Sequence, residues 1–163
     1  MIPALLVLDP QNDFFEVDNP SLTDFQATVP IINLAIAIFR EHQWLVIFVQ
    51  HTSPKKPIDS YTWAINAQFD CRLEDTRLSK SHSNAFWNTE LDSLLQAYRV
   101  DFVLVSGYIA ELCVLSTLRG ALERGYRAAI LEQAIASLDQ RYTQFTMEIS
   151  PHLTLAELKA YAN

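Results

Sequence analysis

Glycine is scarce in this chain, with three among 163 residues. That is too few for a glycine-rich β-sandwich or a glycine-cradled nucleotide site. The specific signatures are missing too. No GxGxxG follows the first apolar run, no lysine follows a glycine loop, and no GxSxG elbow presents a serine. Cysteine is equally sparse: Cys71 and Cys113 form no CxxC pair and no disulfide framework, which predicts a reducing cytoplasm. Basic charge is in deficit, 12 Lys and Arg against 19 Asp and Glu for a net charge of -7. With no basic run of five or more, nucleic acid and anionic membrane are not expected partners. No run reaches the roughly 18 consecutive apolar residues of a membrane span. The opening PALLVLD lacks the charged region and cleavage signal of a secretory peptide.

What is present is material for a core. Half the residues are hydrophobic and 19% are charged, which fits a single globular domain over residues 1–163. Pro3–Asp9 (PALLVLD) and Trp44–Val49 (WLVIFV) read as strands buried on both faces. Between them, Ile31, Leu34, Ala35, Ile38 and Phe39 are spaced for an amphipathic helix starting near Thr28, with Pro30 in its first turn. Gln50 to about Leu78 shows no sustained period, and connections of that length tend to be functional. A short helix over Thr89–Tyr98 follows, then a strand at Phe102–Ser106, a turn at Gly107 and a helix towards Gly125. Tyr126–Leu131 predicts another strand; Gln140–Glu148 and Leu155–Ala162 predict helices. This alternation specifies an α/β fold, a doubly wound three-layer sandwich on a mostly parallel, Rossmann-like sheet.

Such sheets bind ligands beyond the carboxyl ends of their strands, where the strand order reverses. An order of the 3-2-1-4-5 type makes the first strand and Phe102–Ser106 neighbours there. Asp9, at the end of one, then faces the Gly107–Cys113 connection at the end of the other. A helix start favours thiolate at Cys113, although a lone cysteine also serves as a small apolar filler. A cysteine nucleophile needs a base. None of His42, His51, His82 and His152 stands in an obviously matched position. A carboxylate such as Asp9 can substitute if a cation tunes the site, for which Lys80 is the candidate. A strand-end Asp also caps turns, however, and an isolated Lys is ordinarily a solvated surface residue.

These residues reach a resemblance. Asp9-x-Gln11-Asn12-Asp13-Phe14, Lys80-x5-Phe86-x2-Thr89 and Gly107-x5-Cys113-Val114 occur in that order. Together they resemble the isochorismatase-like cysteine hydrolases, which include nicotinamidases, N-carbamoylsarcosine amidase, ureidoacrylate and maleamate amidohydrolases and the isochorismatases. The resemblance covers nearly the whole chain. It implies a catalytic triad of Asp9, Lys80 and Cys113. It also implies a cis peptide at Tyr108–Ile109 and an oxyanion hole from the Ile109 and Cys113 N–H groups. Candidate substrate-binding residues are Gln11, Phe14, His51, Trp63 and Tyr108. The implied reaction is hydrolysis of a small amide or related C–N bond through a Cys thioester, with no organic cofactor, in a homo-oligomer.

Two departures shape the expectation. Nicotinamidases carry an Asp-x-His pair after strand two as part of a metal site; this chain reads Gln50-His51-Thr52, so no metal is expected. Gln133 stands where an Asp is usual. An inactive family member serving as an interaction module, and a thiol redox sensor, are the competing readings.

Overall fold

The computed structural model, which describes residues 2–162, is built on six parallel strands in the order β3-β2-β1-β4-β5-β6. The strands are β1 (Pro3–Leu8), β2 (Leu45–His51), β3 (Thr76–Lys80), β4 (Phe102–Tyr108), β5 (Arg127–Ala136) and β6 (His152–Leu153). Helices α1 (Leu22–Glu41) and α5 (Leu155–Ala162) cover one face; α2 (Leu91–Ala97) and α3 (Leu115–Glu123) cover the other. Helix α4 (Gln140–Glu148) joins β5 to β6.

Alternation of side chains across each strand assigns the two cores. In β1, Leu5 and Val7 pack with Phe25, Ile32, Ile36 and Phe39 of α1. Ala4, Leu6 and Leu8 pack with Leu91 and Leu95 of α2 and Leu118 of α3. Both faces are therefore apolar, which is why β1 reads as an unbroken hydrophobic run. The strand order reverses between β1 and β4, and both strand ends arrive at that crevice.

Several elements depart from the sequence expectation. Helix α1 starts at Leu22 rather than near Thr28, so Pro30 lies in its interior. Burial of Phe25, Val29, Ile32, Ile36 and Phe39 along one face outweighs the hydrogen bond that Pro30 cannot make. By length and composition α1 also suffices to cross a membrane, but that same face is packed on the sheet. Strands β3 and β6 were not foreseen: β3 alternates exposed and half-buried residues in a polar stretch, and β6 has two residues. Strand β5 continues to Ala136 past a register shift opposite Val105 and Gly107.

The connection between β2 and β3 is organised by the loop after β1. Gln11 forms an isolated bridge with Ile65, Asn12 Nδ2 donates to the Tyr61 carbonyl at 2.9 Å, and Asn66 Nδ2 donates to Asn12 Oδ1 at 3.0 Å. Several of its backbone and amide groups are paired by a neighbouring loop instead of by regular structure, while Trp63 Nε1 is buried with no hydrogen-bond partner among the described residues.

Candidate active site

Asp9 closes β1 with a left-handed backbone, φ +51°, its N–H donating to the Val49 carbonyl at 2.7 Å. In a continued strand this residue would share the α1 face with Leu5 and Val7. The left-handed turn, which Asp tolerates better than most residues, breaks that alternation and brings the carboxylate to the α3 face. Lys80 ends β3 on that same face, one alternation beyond Leu78.

The turn that leads to Cys113 needs Gly107. Its φ is +102°, and a Cβ there would stand 2.0 Å from the Leu8 carbonyl oxygen, so β4 presses backbone to backbone against the end of β1. The Tyr108–Ile109 peptide that follows is cis. A single π-turn over Ala110–Val114, with the Val114 N–H donating to the Ile109 carbonyl at 3.1 Å, then leads into α3. Such turns recur at functional sites, and this one carries Cys113. Sequence periodicity had predicted a plain helix here.

These strand ends bring three distant side chains together. Lys80 Nζ donates to Asp9 Oδ2 at 3.0 Å and to Cys113 Sγ at 3.0 Å. It also lies 3.1 Å from His51 Nδ1 and 3.2 Å from the His82 carbonyl oxygen. Asp9, Lys80 and Cys113 are all buried. Asp9 Oδ1 has no hydrogen-bond partner among the described residues, leaving an acceptor within the cluster. The segment after Lys80 is fastened to α3: the Ala85 N–H donates to Thr117 Oγ1 at 3.0 Å, and Gly120 leaves room for Asn84.

Burial pushes the Cys113 thiol up to about 12; the Asp9 charge adds to this and the Lys80 ammonium opposes it. Burial and the facing carboxylate thus favour the thiol, against the pull of a helix start towards thiolate. Desolvation and a facing carboxylate outweigh the helix dipole. His51 is lowered, by burial first and by Lys80 second, so its Nδ1 is an unprotonated acceptor for the ammonium. Asp9, His51 and Cys113 have ligand atoms within 4.8 Å of one another, as a metal would require. The Lys80 ammonium touches all three side chains and puts a fixed positive charge where such an ion would sit.

The remaining candidate residues divide. Gln11 is a buried structural clamp whose amide is spent on backbone groups. Its Nε2 donates to the carbonyls of His51 (3.0 Å) and Trp63 (2.7 Å), and its Oε1 accepts from the His51 N–H (2.9 Å). Tyr108 likewise points away from the site. Its ring is in the α1 core, with its hydroxyl on Thr28 Oγ1 at 2.5 Å and on the Phe25 carbonyl at 3.2 Å. Even alternation along β4 puts residue 108 on that face with Leu104. Phe14 stacks on Phe25 with centroids 5.3 Å apart and carries Lys56 Nζ over its ring; Lys56 in turn pairs with Asp13. Trp63 lines a cavity of about 440 Å³ with Gln50, Phe69, Cys71 and Arg77, which no triad residue lines. His82 and Thr117 were missed, because a backbone acceptor and a loop anchor leave no mark in the sequence.

Residues 3–152 match the family described as Isochorismatase domain. The chain belongs to the isochorismatase family. It is 30% identical over 167 residues to the uncharacterized isochorismatase family protein YddQ of Bacillus subtilis (strain 168), covering 99% of this chain and 89% of that one. An isochorismatase family protein from Desulfovibrio vulgaris subsp. vulgaris str. Hildenborough superimposes with a TM-score of 0.89 at 23% identity, over 98% of this chain and 97% of that one. N-carbamoylsarcosine amidase from Thermoplasma acidophilum superimposes with a TM-score of 0.81 at 25% identity, over 94% and 95%. Family membership and amidase relatives of this kind support a hydrolase acting on a small molecule.

Proposed function

We propose that the protein is a cysteine amidohydrolase that cleaves a small amide or related C–N bond with Asp9, Lys80 and Cys113 as its triad. The observation that carries this reading is the Lys80 ammonium, 3.0 Å from both a buried carboxylate and a buried thiol.

A thiol raised to about 12 is no nucleophile by itself at neutral pH and requires a base at the moment of attack. Asp9 takes the proton as Sγ bonds to the substrate carbonyl carbon. Lys80, bonded to both groups, stabilises the negative charge as it passes from the carboxylate to the sulfur and on to the substrate oxygen. The resulting oxyanion is received by the Ile109 and Cys113 N–H groups, donors of the kind whose individual loss costs ~10²–10³ in rate. Collapse breaks the C–N bond, and Asp9 returns the proton to the departing nitrogen. Water then attacks the thioester, gives a proton to Asp9, and releases the acid while the thiol is regenerated. His51, bonded to Lys80, keeps the ammonium aimed between its two partners.

No organic cofactor enters this scheme. The free thiols of Cys71 and Cys113 support a reducing, cytoplasmic setting. By resemblance to its family the protein self-associates.

The test is intact-protein mass spectrometry after incubation with a panel of small amides and aldehydes. A covalent adduct that maps to Cys113, with turnover abolished in Cys113→Ala, is the expected result. Amide hydrolysis that survives unchanged in Cys113→Ala would remove the triad mechanism.

A further inference from the structure

The surface beside the nucleophile turn carries an apolar stripe that a single copy leaves uncovered. Leu138 precedes α4, and Tyr142, Phe145 and Ile149 follow at intervals of four, three and four residues. That spacing marks one face of a helix, the face ordinarily turned to the core. Here the buried residue of α4 is Thr146, while the four stripe residues and Leu112 of the nucleophile turn are between 40% and 55% exposed. Isolated exposed apolar residues are ordinary, but a contiguous patch with a charged rim marks an interaction surface. Tyr142 and Phe145 of the stripe line a groove of about 510 Å³ together with Glu111, Leu115 and Arg141.

Two features identify the occupant. The stripe reads almost the same from either end: aliphatic, aromatic, aromatic, aliphatic at intervals of four, three and four. Two copies laid antiparallel put Leu138 against Ile149 and Tyr142 against Phe145, the self-complementarity that a two-fold contact requires. The charges are complementary as well. Glu111 Oε2 is buried with no hydrogen-bond partner among the described residues. Arg141, on the rim of the same groove, has a side chain 85% exposed. It engages Asp139 through Nε and Nη2, leaving Nη1 for a second acceptor. A two-fold axis through the groove sets Arg141 of the second copy opposite the Glu111 carboxylate, an opposite-charge pair that the contact would shield from water.

We propose that α4 and the nucleophile turn form the face through which two copies of this chain associate as a two-fold dimer. The proposal rests on the self-association put forward above and assigns its surface.

Sedimentation velocity of the full chain over a wide concentration range tests it. The wild type is expected to dimerise, and Phe145→Asp to raise the dissociation constant ~30-fold or more, as a central aromatic contact would. Arg141→Glu and Glu111→Arg are each expected to weaken the dimer, and the double variant E111R/R141E to restore it. That restoration decides the matter even if Phe145→Asp fails to unfold cooperatively on heating. A dimer indifferent to all these changes would overturn this face while leaving self-association standing. A wild type that stays monomeric throughout would overturn both.

Discussion

Lys80 Nζ stands 3.0 Å from Cys113 Sγ, yet the thiol beside it is raised to about 12. An ammonium this close ordinarily lowers a thiol. Its effect is outweighed by burial and by Asp9, which occupies another side of the same ammonium. The site is thus set for proton transfer during attack and not for a standing thiolate.

Replacing Asp9 by Asn should move two observables in opposite directions. Removing the carboxylate charge lowers the Cys113 thiol, so alkylation by iodoacetamide at a fixed mildly alkaline pH should speed up. Hydrolysis of an amide substrate should fall ~10²–10⁴-fold, the usual contribution of a positioned base. Lys80→Met should slow both. Alkylation that slows in Asp9→Asn would show that the carboxylate does not act on the sulfur.

Stability should decline in alkali, for a reason specific to Cys113. Its folded value of about 12 exceeds the ordinary 9.0, so above pH 9 the unfolded chain loses that proton first. The contribution is fully present below pH 9 and is lost as pH rises from there towards 12. Urea titrations from pH 8 to 10.5 should show a loss that is smaller in Cys113→Ala. Equal slopes in the two proteins would contradict the assigned burial.

His51 should set an acid limb. Lowered in the folded state, it stays neutral until below its ordinary 6.5, then gains a proton that ejects the Lys80 hydrogen bond and places like charges together. Both activity and stability should therefore fall as pH drops below 6.5. His51→Asn, whose amide oxygen can replace Nδ1 as acceptor, should retain most neutral-pH activity and lose the acid limb. His51→Leu should lose activity at every pH, and identical profiles for the two variants would refute the positioning role.

Gly107→Ala should be the most damaging single methyl group in the chain. The added carbon has no room beside the Leu8 carbonyl and no favourable backbone conformation. A loss of about 3 kcal/mol is expected in urea unfolding, typical of overpacking combined with a strained φ. A change below 0.5 kcal/mol would mean the two strand ends can separate freely.

How far the sequence could be read follows from where the information lies. β1, β2 and β4 are legible because burial on both faces leaves unbroken apolar runs. β3 is not, because its role is to deliver Lys80, and only that residue is buried within a polar strand. Asp9, Lys80 and Cys113 are visible together through the family resemblance that their motifs carry, and a strand order of the common 3-2-1-4-5 type sets Asp9 beside the turn that holds Cys113. Gln11 and Tyr108 sit in those same motifs, but the structure uses them as a backbone clamp and a core ring. Motif position does not reveal which way a side chain turns. The thiol's protonation state was equally hidden, since it depends on desolvation and a through-space carboxylate.

The lysine is 71 residues from its carboxylate and 33 from its sulfur in sequence, and each of the three comes from a different part of one sheet. A chain with β3 unpaired, or paired out of register, keeps Asp9 beside the sulfur through the pairing of β1 with β4 but lacks the cation that bonds to both. Reactivity is thereby tied to completed assembly. On the mechanism proposed above, a partly unfolded molecule holds Cys113 without its full set of partners, and bond cleavage waits until β3 has paired and brought Lys80 to the site.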